Sequence, residues 1–87
     1  MYRIERITDR DGNDRIDGRY PRRIGCVVEE YQIALSHPML LDYIRDNEGN
    51  EKMGCLRTSV VEGYSKSFND LKVYTSNSIY YLKEIDE

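Results

Sequence analysis

The alternation of apolar and polar residues is clearest close to the end of the chain. Leu71, Val73 and Thr75 alternate with polar or amphipathic residues, which is the period of a half-buried strand. Residues 75–78 carry short polar side chains that hydrogen-bond to their own backbone in turns. Residues 79–82 resume with side chains that favour strands. The pattern predicts two antiparallel strands joined by a tight polar turn, against which the rest of the chain packs.

Similar but weaker patterns recur upstream at a spacing of roughly ten residues, which is typical of small β-proteins. Residues 1–8 are a predicted first strand, and the break in spacing between Ile4 and Ile7 indicates a β-bulge. Residues 39–45 and 56–61 are two further predicted strands. In the predicted strand 56–61, Leu56, Thr58 and Val60 lie on the face that is expected to be buried.

Residues 26–46 fit two patterns. The spacing of Val28, Tyr31 and Leu35 is helical. The strand formers near residue 43 and the turn formers of residues 46–50 indicate instead a strand that enters a hairpin. We therefore predict a strand over 39–45, and either an extended path or one short helix around residues 28–37.

Five to six short strands predict an all-β fold, a small antiparallel barrel that spans residues 1–87 as a single domain. A chain of this size buries only about 60% of its unfolded surface, so the core is thin. Closing the sheet hides strand edges from other chains. Residues 9–19 are dense in turn formers and are expected to form an exposed loop, and Pro21 is expected to impose an extended path after it.

The charge of the chain is weakly negative, at −3, which argues against broad non-specific binding of nucleic acid. The charges are unevenly distributed. Residues 1–23 hold seven arginines and five acids, a balance of +2, whereas residues 24–87 hold six lysines or arginines and eleven acids, a balance of −5. Either the arginines of the first segment pair with their neighbouring aspartates, or they form a face that meets an acidic partner.

Arginine and tyrosine, which are enriched at protein interfaces, cluster between residues 19 and 23. Guanidinium groups around a tyrosine and a proline suit an acidic or phosphate-bearing partner. Alternatively, Tyr20 and Ile24 cover the core while the arginines face water. The residues predicted to contact a partner are Arg19, Tyr20, Arg22, Arg23, Arg57 and Tyr80.

A second group of polar residues is predicted at the corner between the last two strands and the strand before them. Short hydroxyl and amide side chains there either bond to backbone and fix the closure of the barrel, or form a recognition notch beside Arg57. The residues of this predicted corner are Thr58, Ser59, Asn77 and Ser78.

Nothing in the spacing of reactive residues predicts catalysis. His37 is the one histidine, and a Cys–His pair would need Cys26 or Cys55 to approach it in the fold, which nothing in the spacing demands. Cys26 and Cys55 lack metal-ligand spacing and are expected to be small core residues in a reducing compartment. We therefore expect a protein that is not an enzyme and has no metal or cofactor. Without a signal-peptide core or an apolar run that spans a membrane, the expected location is the cytoplasm.

Three short motifs stand out along the chain: Arg19-Tyr20-Pro21-x-Arg23-Ile24-Gly25, Leu56-Arg57-Thr58-Ser59-x-Val61 and Thr75-x-Asn77-Ser78-x-Tyr80. Together they resemble a family of small uncharacterised bacterial proteins that are often encoded near phage or conjugative elements. The resemblance implies an SH3-like barrel without catalytic residues, and an adaptor or inhibitor that acts on a host or defence complex. Residues 15–18 look like an insertion and depart from the family pattern.

The sequence thus predicts a non-catalytic module that binds a protein partner. The alternative is a small barrel that binds single-stranded nucleic acid by stacking bases on exposed aromatic rings beside cations. The residues that favour this alternative are Tyr74, Tyr80 and Tyr81 beside Lys72 and Lys83, and Tyr20 beside Arg19 and Arg22.

Overall fold

The computed structural model describes residues 1–86, and within them the chain forms six strands and one helical turn. Each strand pairs antiparallel with its neighbour in sequence, and the last pairs with the first, so the sheet closes into a barrel. The all-β prediction is confirmed. The elements are β1 (Tyr2–Thr8), α1 (Tyr20–Arg23), β2 (Val27–Gln32), β3 (Pro38–Arg45), β4 (Cys55–Ser67), β5 (Asp70–Thr75) and β6 (Ile79–Glu84).

The barrel interior is filled by the inward-facing residues of all six strands. Leu71, Val73 and Thr75 are buried on β5, as their alternation predicts. Four half-buried residues also pack against this core: Tyr20, Ile24, Ile33 and Tyr43. The buried core cluster contains Tyr2, Ile4, Ile7, Cys26, Val28, Met39, Leu41, Leu56, Val61, Leu71, Val73, Tyr80 and Leu82.

Register shifts on β1 and β4 change which residues face the core. The register of β1 against β6 shifts between Ile4 and Arg6, which confirms the predicted bulge. On β4 the alternation also shifts, so that Val61 is buried and Val60 is 40% exposed. The prediction for Val60 is wrong because a register shift places extra β4 residues opposite the start of β3.

The helix considered around residues 28–37 is not present, because β2 occupies Val27–Gln32 and pairs with strands on both sides. Of the apolar residues whose spacing indicated a helix, Val28 faces the core, whereas Tyr31 is 70% exposed and Leu35 57% exposed.

The helical turn lies earlier, at α1, with Pro21 in its first turn. Proline is tolerated there because its missing N–H has no partner within a helix. The extended path expected after the 9–19 loop is therefore wrong. The helical segment within residues 1–86 is far too short to cross a membrane.

Candidate anion-binding site

A cleft of about 370 Å³ lies where α1 meets β3 and the start of β4. We call it the cationic cleft. Five of its lining side chains are cationic, and none of the described residues that line it is an aspartate or glutamate. This composition contrasts with the net negative charge of the whole chain. The lining residues are Arg19, Arg22, Arg23, Tyr43, Lys52, Cys55, Leu56 and Arg57.

The backbone around α1 fixes the position of Arg22 and Arg23. The Cys26 thiol donates to the Arg22 carbonyl at 3.3 Å, and the Cys26 N–H donates to the Arg23 carbonyl at 3.2 Å. The Gly25 N–H donates to Ile4 of β1 at 2.7 Å. Gly25 has a φ of +87°, and a Cβ there would lie 3.2 Å from the Asn47 Cβ, so glycine suits both the backbone and the space. The turn is thereby attached to the barrel.

Arg23 is anchored from below by a core residue. Its Nη1 donates to the Tyr80 hydroxyl oxygen at 2.8 Å. Tyr80 is 1% exposed, and burial raises its pKa to about 12, although the nearby guanidinium opposes that rise. The hydroxyl therefore stays neutral at physiological pH and accepts the hydrogen bond. The carbon centre of the Arg23 guanidinium also lies 5.1 Å from the Tyr20 ring centroid.

The other side of the cleft comes from β3, β4 and the connection between them. Lys52 Nζ lies 4.8 Å from the ring centroid of Tyr43. Burial raises the pKa of Tyr43, against the opposing effect of nearby Arg23. The antiparallel register pairs Leu40 with Arg57 and Asp42 with Cys55, which brings the start of β4 to the cleft.

The arginines of the first segment divide into two groups. Those at positions 3, 6, 10 and 15 each pair with a carboxylate: Arg3 with Glu5 at 3.3 Å, Arg6 with Asp14 at 2.5 Å, Arg10 with Glu62, and Arg15 with Asp17 at 3.9 Å.

In residues 1–86, none of the five cations of the cationic cleft forms a direct ion pair with a carboxylate, although hydrogen bonds from backbone N–H groups and, to a smaller extent, the charge of Lys52 lower the pKa of Asp46. The interpretation of a self-paired surface thus holds for the first group. It fails for the arginines at the cleft.

The structure brings together four of the six residues predicted to contact a partner, since Arg19, Arg22, Arg23 and Arg57 all line the cationic cleft. The prediction that Tyr80 contacts a partner is corrected, because a residue that is 1% exposed offers no contact surface.

Tyr20 is half-buried, and the guanidinium carbons of Arg15 and Arg23 lie 5.0 and 5.1 Å from its ring centroid. Tyr20 and Tyr80 both contact the guanidinium of Arg23, which lines the cleft. Sequence analysis missed Tyr43, Lys52 and Cys55, since their approach depends on the β3–β4 register.

Two of the four predicted corner side chains, those of Thr58 and Ser59, hydrogen-bond to backbone, whereas Ser78 Oγ donates to the Tyr20 hydroxyl at 3.4 Å. Thr58 Oγ1 accepts from the Met39 N–H at 3.1 Å, and Ser59 Oγ accepts from the Asn77 N–H at 3.1 Å. The Ser78 N–H donates to Thr75 Oγ1 at 3.1 Å. These bonds tie β4 to β3 and to the β5–β6 turn, which supports the structural role that the sequence allows for this corner.

The two cysteines differ in their surroundings. Cys26 is buried, as expected, and burial raises its pKa. Cys55 is exposed at the cationic cleft, so the expectation of a second core cysteine is wrong. His37 is exposed. In the part of the chain that the structure describes, no three His, Cys, Asp or Glu side chains are grouped to hold a metal ion.

Comparison of the chain with protein-family models, curated proteins and solved structures finds no match. The resemblance carried by the three sequence motifs therefore stays a prediction.

Proposed function

We propose that this protein is a non-catalytic binding module that holds an acidic segment of a protein partner in the cationic cleft. The observation that carries this proposal is that five cations converge on one concave site and, among residues 1–86, form no direct ion pair with a carboxylate. Charge complementarity of this kind steers a partner and fixes its orientation. The narrower expectation, an adaptor or inhibitor of a host or defence complex, rests on the motif resemblance.

The surroundings of the cleft support binding of a partner more than a purely solvated surface. Arg23 is half-buried and is held by a hydrogen bond to a core hydroxyl, so less side-chain entropy is lost when it binds. The exposed Arg19, Arg22 and Arg57 supply further charge-assisted donors. Folding of the barrel does not by itself account for this clustering of like charges.

The proposal is tested with a fluorescein-labelled, glutamate-rich peptide whose anisotropy is measured against increasing protein. We expect binding that the double substitution Arg22→Glu and Arg57→Glu reduces by at least about tenfold, because two donors become repelling charges. Both side chains are exposed, so the melting temperature should change little.

The matched control changes the same net charge away from the cleft. Arg3→Glu with Lys83→Glu replaces two exposed, paired positions on β1 and β6. Equal loss of binding in both double variants would show only a general charge effect and would reject the cationic cleft as the site. Affinity capture with the same two variants then separates partners held by the cleft from adventitious ones.

A second candidate function is binding of single-stranded nucleic acid on the outer face of β5 and β6. Lys72 Nζ lies 4.9 Å from the ring centroid of Tyr74 and 5.3 Å from that of Tyr81, and both rings are half-exposed. This is the arrangement of aromatic and cationic side chains that single strands use. Absence of binding to a short oligothymidylate at about 50 mM salt, where phosphate contacts are strong, would reject it.

A further inference from the structure

The cationic cleft gathers more positive charge than one carboxylate balances. A glutamate side chain carries a single negative charge and two acceptor oxygens, whereas a phosphate monoester carries about −1.5 to −2 at neutral pH and three strong acceptor oxygens. We propose that the cationic cleft binds a phosphate monoester carried by a side chain of the protein partner. This inference rests on the proposed function, since it specifies which acidic group the cleft takes.

The types of cation favour phosphate. Four of the five are arginines, and they come from two parts of the chain, the α1 turn and the start of β4. A guanidinium presents a planar fork of donors that pairs with two phosphate oxygens at once. A tetrahedral group accepts such forks from more than one direction, which a planar carboxylate does to a smaller extent.

The anchoring of Arg23 gives the site a fixed element. Its bond to Tyr80 and its position beside the Tyr20 ring hold the guanidinium before any ligand arrives. The exposed Arg19, Arg22 and Arg57 are free to close around an oxygen that this fixed group has already placed.

The size and the apolar part of the lining suit a phosphate on a side-chain stem. A volume of about 370 Å³ lies at the lower end of the roughly 300–1,000 Å³ typical of ligand-binding clefts, which suits a small group and its stem. Tyr43 and Leu56 supply apolar surface for the stem.

A nucleic-acid backbone fits this cleft less well. Each of its phosphates is a diester with one negative charge, and single strands need open aromatic faces for their bases. Tyr43 is the one aromatic side chain among the described residues that line the cleft, and it is half-buried.

The test uses short peptides that are capped at both ends and uncharged except at one central residue. That residue is phosphoserine, glutamate or serine. Isothermal titration should show the phosphoserine peptide binding at least about tenfold more tightly than the glutamate peptide, with no binding of the serine peptide. Equal affinity for phosphoserine and glutamate would overturn the inference. Stronger binding of an oligothymidylate than of the phosphoserine peptide, if Arg22→Gln weakens it, would also overturn the inference in favour of nucleic acid in the cleft.

Variants assign the binding to the cleft. Arg22→Gln and Arg57→Gln each remove a donor from the cleft and should each weaken phosphoserine binding severalfold, while Arg3→Gln on β1 leaves it unchanged. Unchanged melting temperatures confirm that the variants fold. Wild-type affinity in both cleft variants would contradict the proposal.

The exposed thiol in the cleft gives an independent readout. Iodoacetamide should alkylate Cys55 in the native protein while Cys26 stays protected by burial. The phosphoserine peptide should slow that alkylation, and the serine peptide should not. An unchanged rate at a saturating concentration of phosphoserine peptide would place the bound peptide elsewhere and overturn the assignment.

Failure of this inference is distinguishable from failure of the proposed function. If the glutamate-rich peptide binds in an Arg22-dependent way and phosphoserine gives no advantage, the proposed function stands and the phosphate preference is rejected. If neither peptide binds, both proposals are rejected.

Discussion

At the residue scale, Ser36 and Phe68 are exposed non-glycine residues in a backbone conformation that suits glycine, and Phe68 has the larger side chain. Phe68 lies at the tip of the β4–β5 hairpin with a φ of 55° and is 95% exposed. A side chain in this left-handed region costs about 1–2 kcal/mol relative to the ordinary helical region. Because the ring contributes little burial, nothing in the fold offsets that cost.

Replacing this residue by glycine should therefore stabilise the protein. Phe68→Gly relieves about 1–2 kcal/mol of strain in the folded state. The greater conformational freedom of glycine in the unfolded chain opposes this gain by about 0.5–1 kcal/mol, so the free energy of unfolding should rise by roughly 0.5–1 kcal/mol. Urea denaturation at 25 °C measures the change. Phe68→Ala is the control: it removes the ring but keeps the strain, and we expect stability close to wild type. A stabilised alanine variant would attribute the effect to the ring instead.

At the element scale, the same five-residue turn connects the chain in two places. Residues 9–13 read Asp-Arg-Asp-Gly-Asn and residues 46–50 read Asp-Asn-Glu-Gly-Asn. In both, the first N–H donates to the carbonyl of the last residue at 2.8 Å, and the glycine N–H donates to the first carbonyl at 3.2 Å. The first carboxylate also accepts two backbone N–H groups in each turn. The repeated pattern of aspartate, glycine and asparagine encodes this geometry.

These turns make stability depend on pH in the acid range. Hydrogen bonds from backbone N–H groups, chiefly that of the fifth residue, lower the pKa of Asp9 and of Asp46. An aspartate titrates near pH 3.9 in the unfolded chain, so both carboxylates stabilise the fold above about pH 4. That stabilisation is lost as the pH falls through their lower folded pKa values. The melting temperature of the double variant Asp9→Asn and Asp46→Asn should be lower at pH 7 and should fall less between pH 5 and about pH 2.

Asp11→Asn with Glu48→Gln is the matched control for this prediction. It removes one negative charge from each turn but leaves the accepting carboxylates of Asp9 and Asp46 in place. Thermal denaturation followed by circular dichroism across this pH range should give the wild-type slope for the control. The same reduced slope in both double variants would contradict the role of the accepting carboxylates.

The sequence predicts best those strands whose buried residues follow from the alternation of apolar and polar positions within the strand itself. Alternation alone identifies the β5–β6 pair, because Leu71 and Val73 need no partner information to be placed inside. Val60 is misassigned because a bulge arises from the pairing of β4 with β3. The arginines of the cleft are recognised by residue type, whereas Lys52 reaches them only through the register of two strands. Local chemistry is thus predictable here, and cross-strand placement is not.

At the scale of the whole molecule, the seam between β1 and β2 is the shortest part of the closed sheet. Within residues 1–86 these strands pair at two positions, Tyr2 with Val28 and Arg3 with Val27, whereas β1 and β6 pair at six. The Ile4 N–H extends the seam by donating to the Cys26 carbonyl at 3.0 Å. Because fewer hydrogen bonds close this seam, we expect it to open locally before the barrel unfolds.

Cys26 can report this opening, because the residue is 2% exposed in the closed barrel and its thiol can react only when the seam opens. In a Cys55→Ser variant it is the one remaining thiol, and its reaction with an aromatic disulfide reagent requires opening. If the seam opens locally, the opening free energy should be smaller than that of global unfolding and should depend less on urea, because less surface is exposed. An equal urea dependence would mean that the barrel opens only as a unit.

Since the Cys26 thiol and N–H both bond to the α1 turn, a ligand that holds Arg22 and Arg23 in the cleft should also slow this opening.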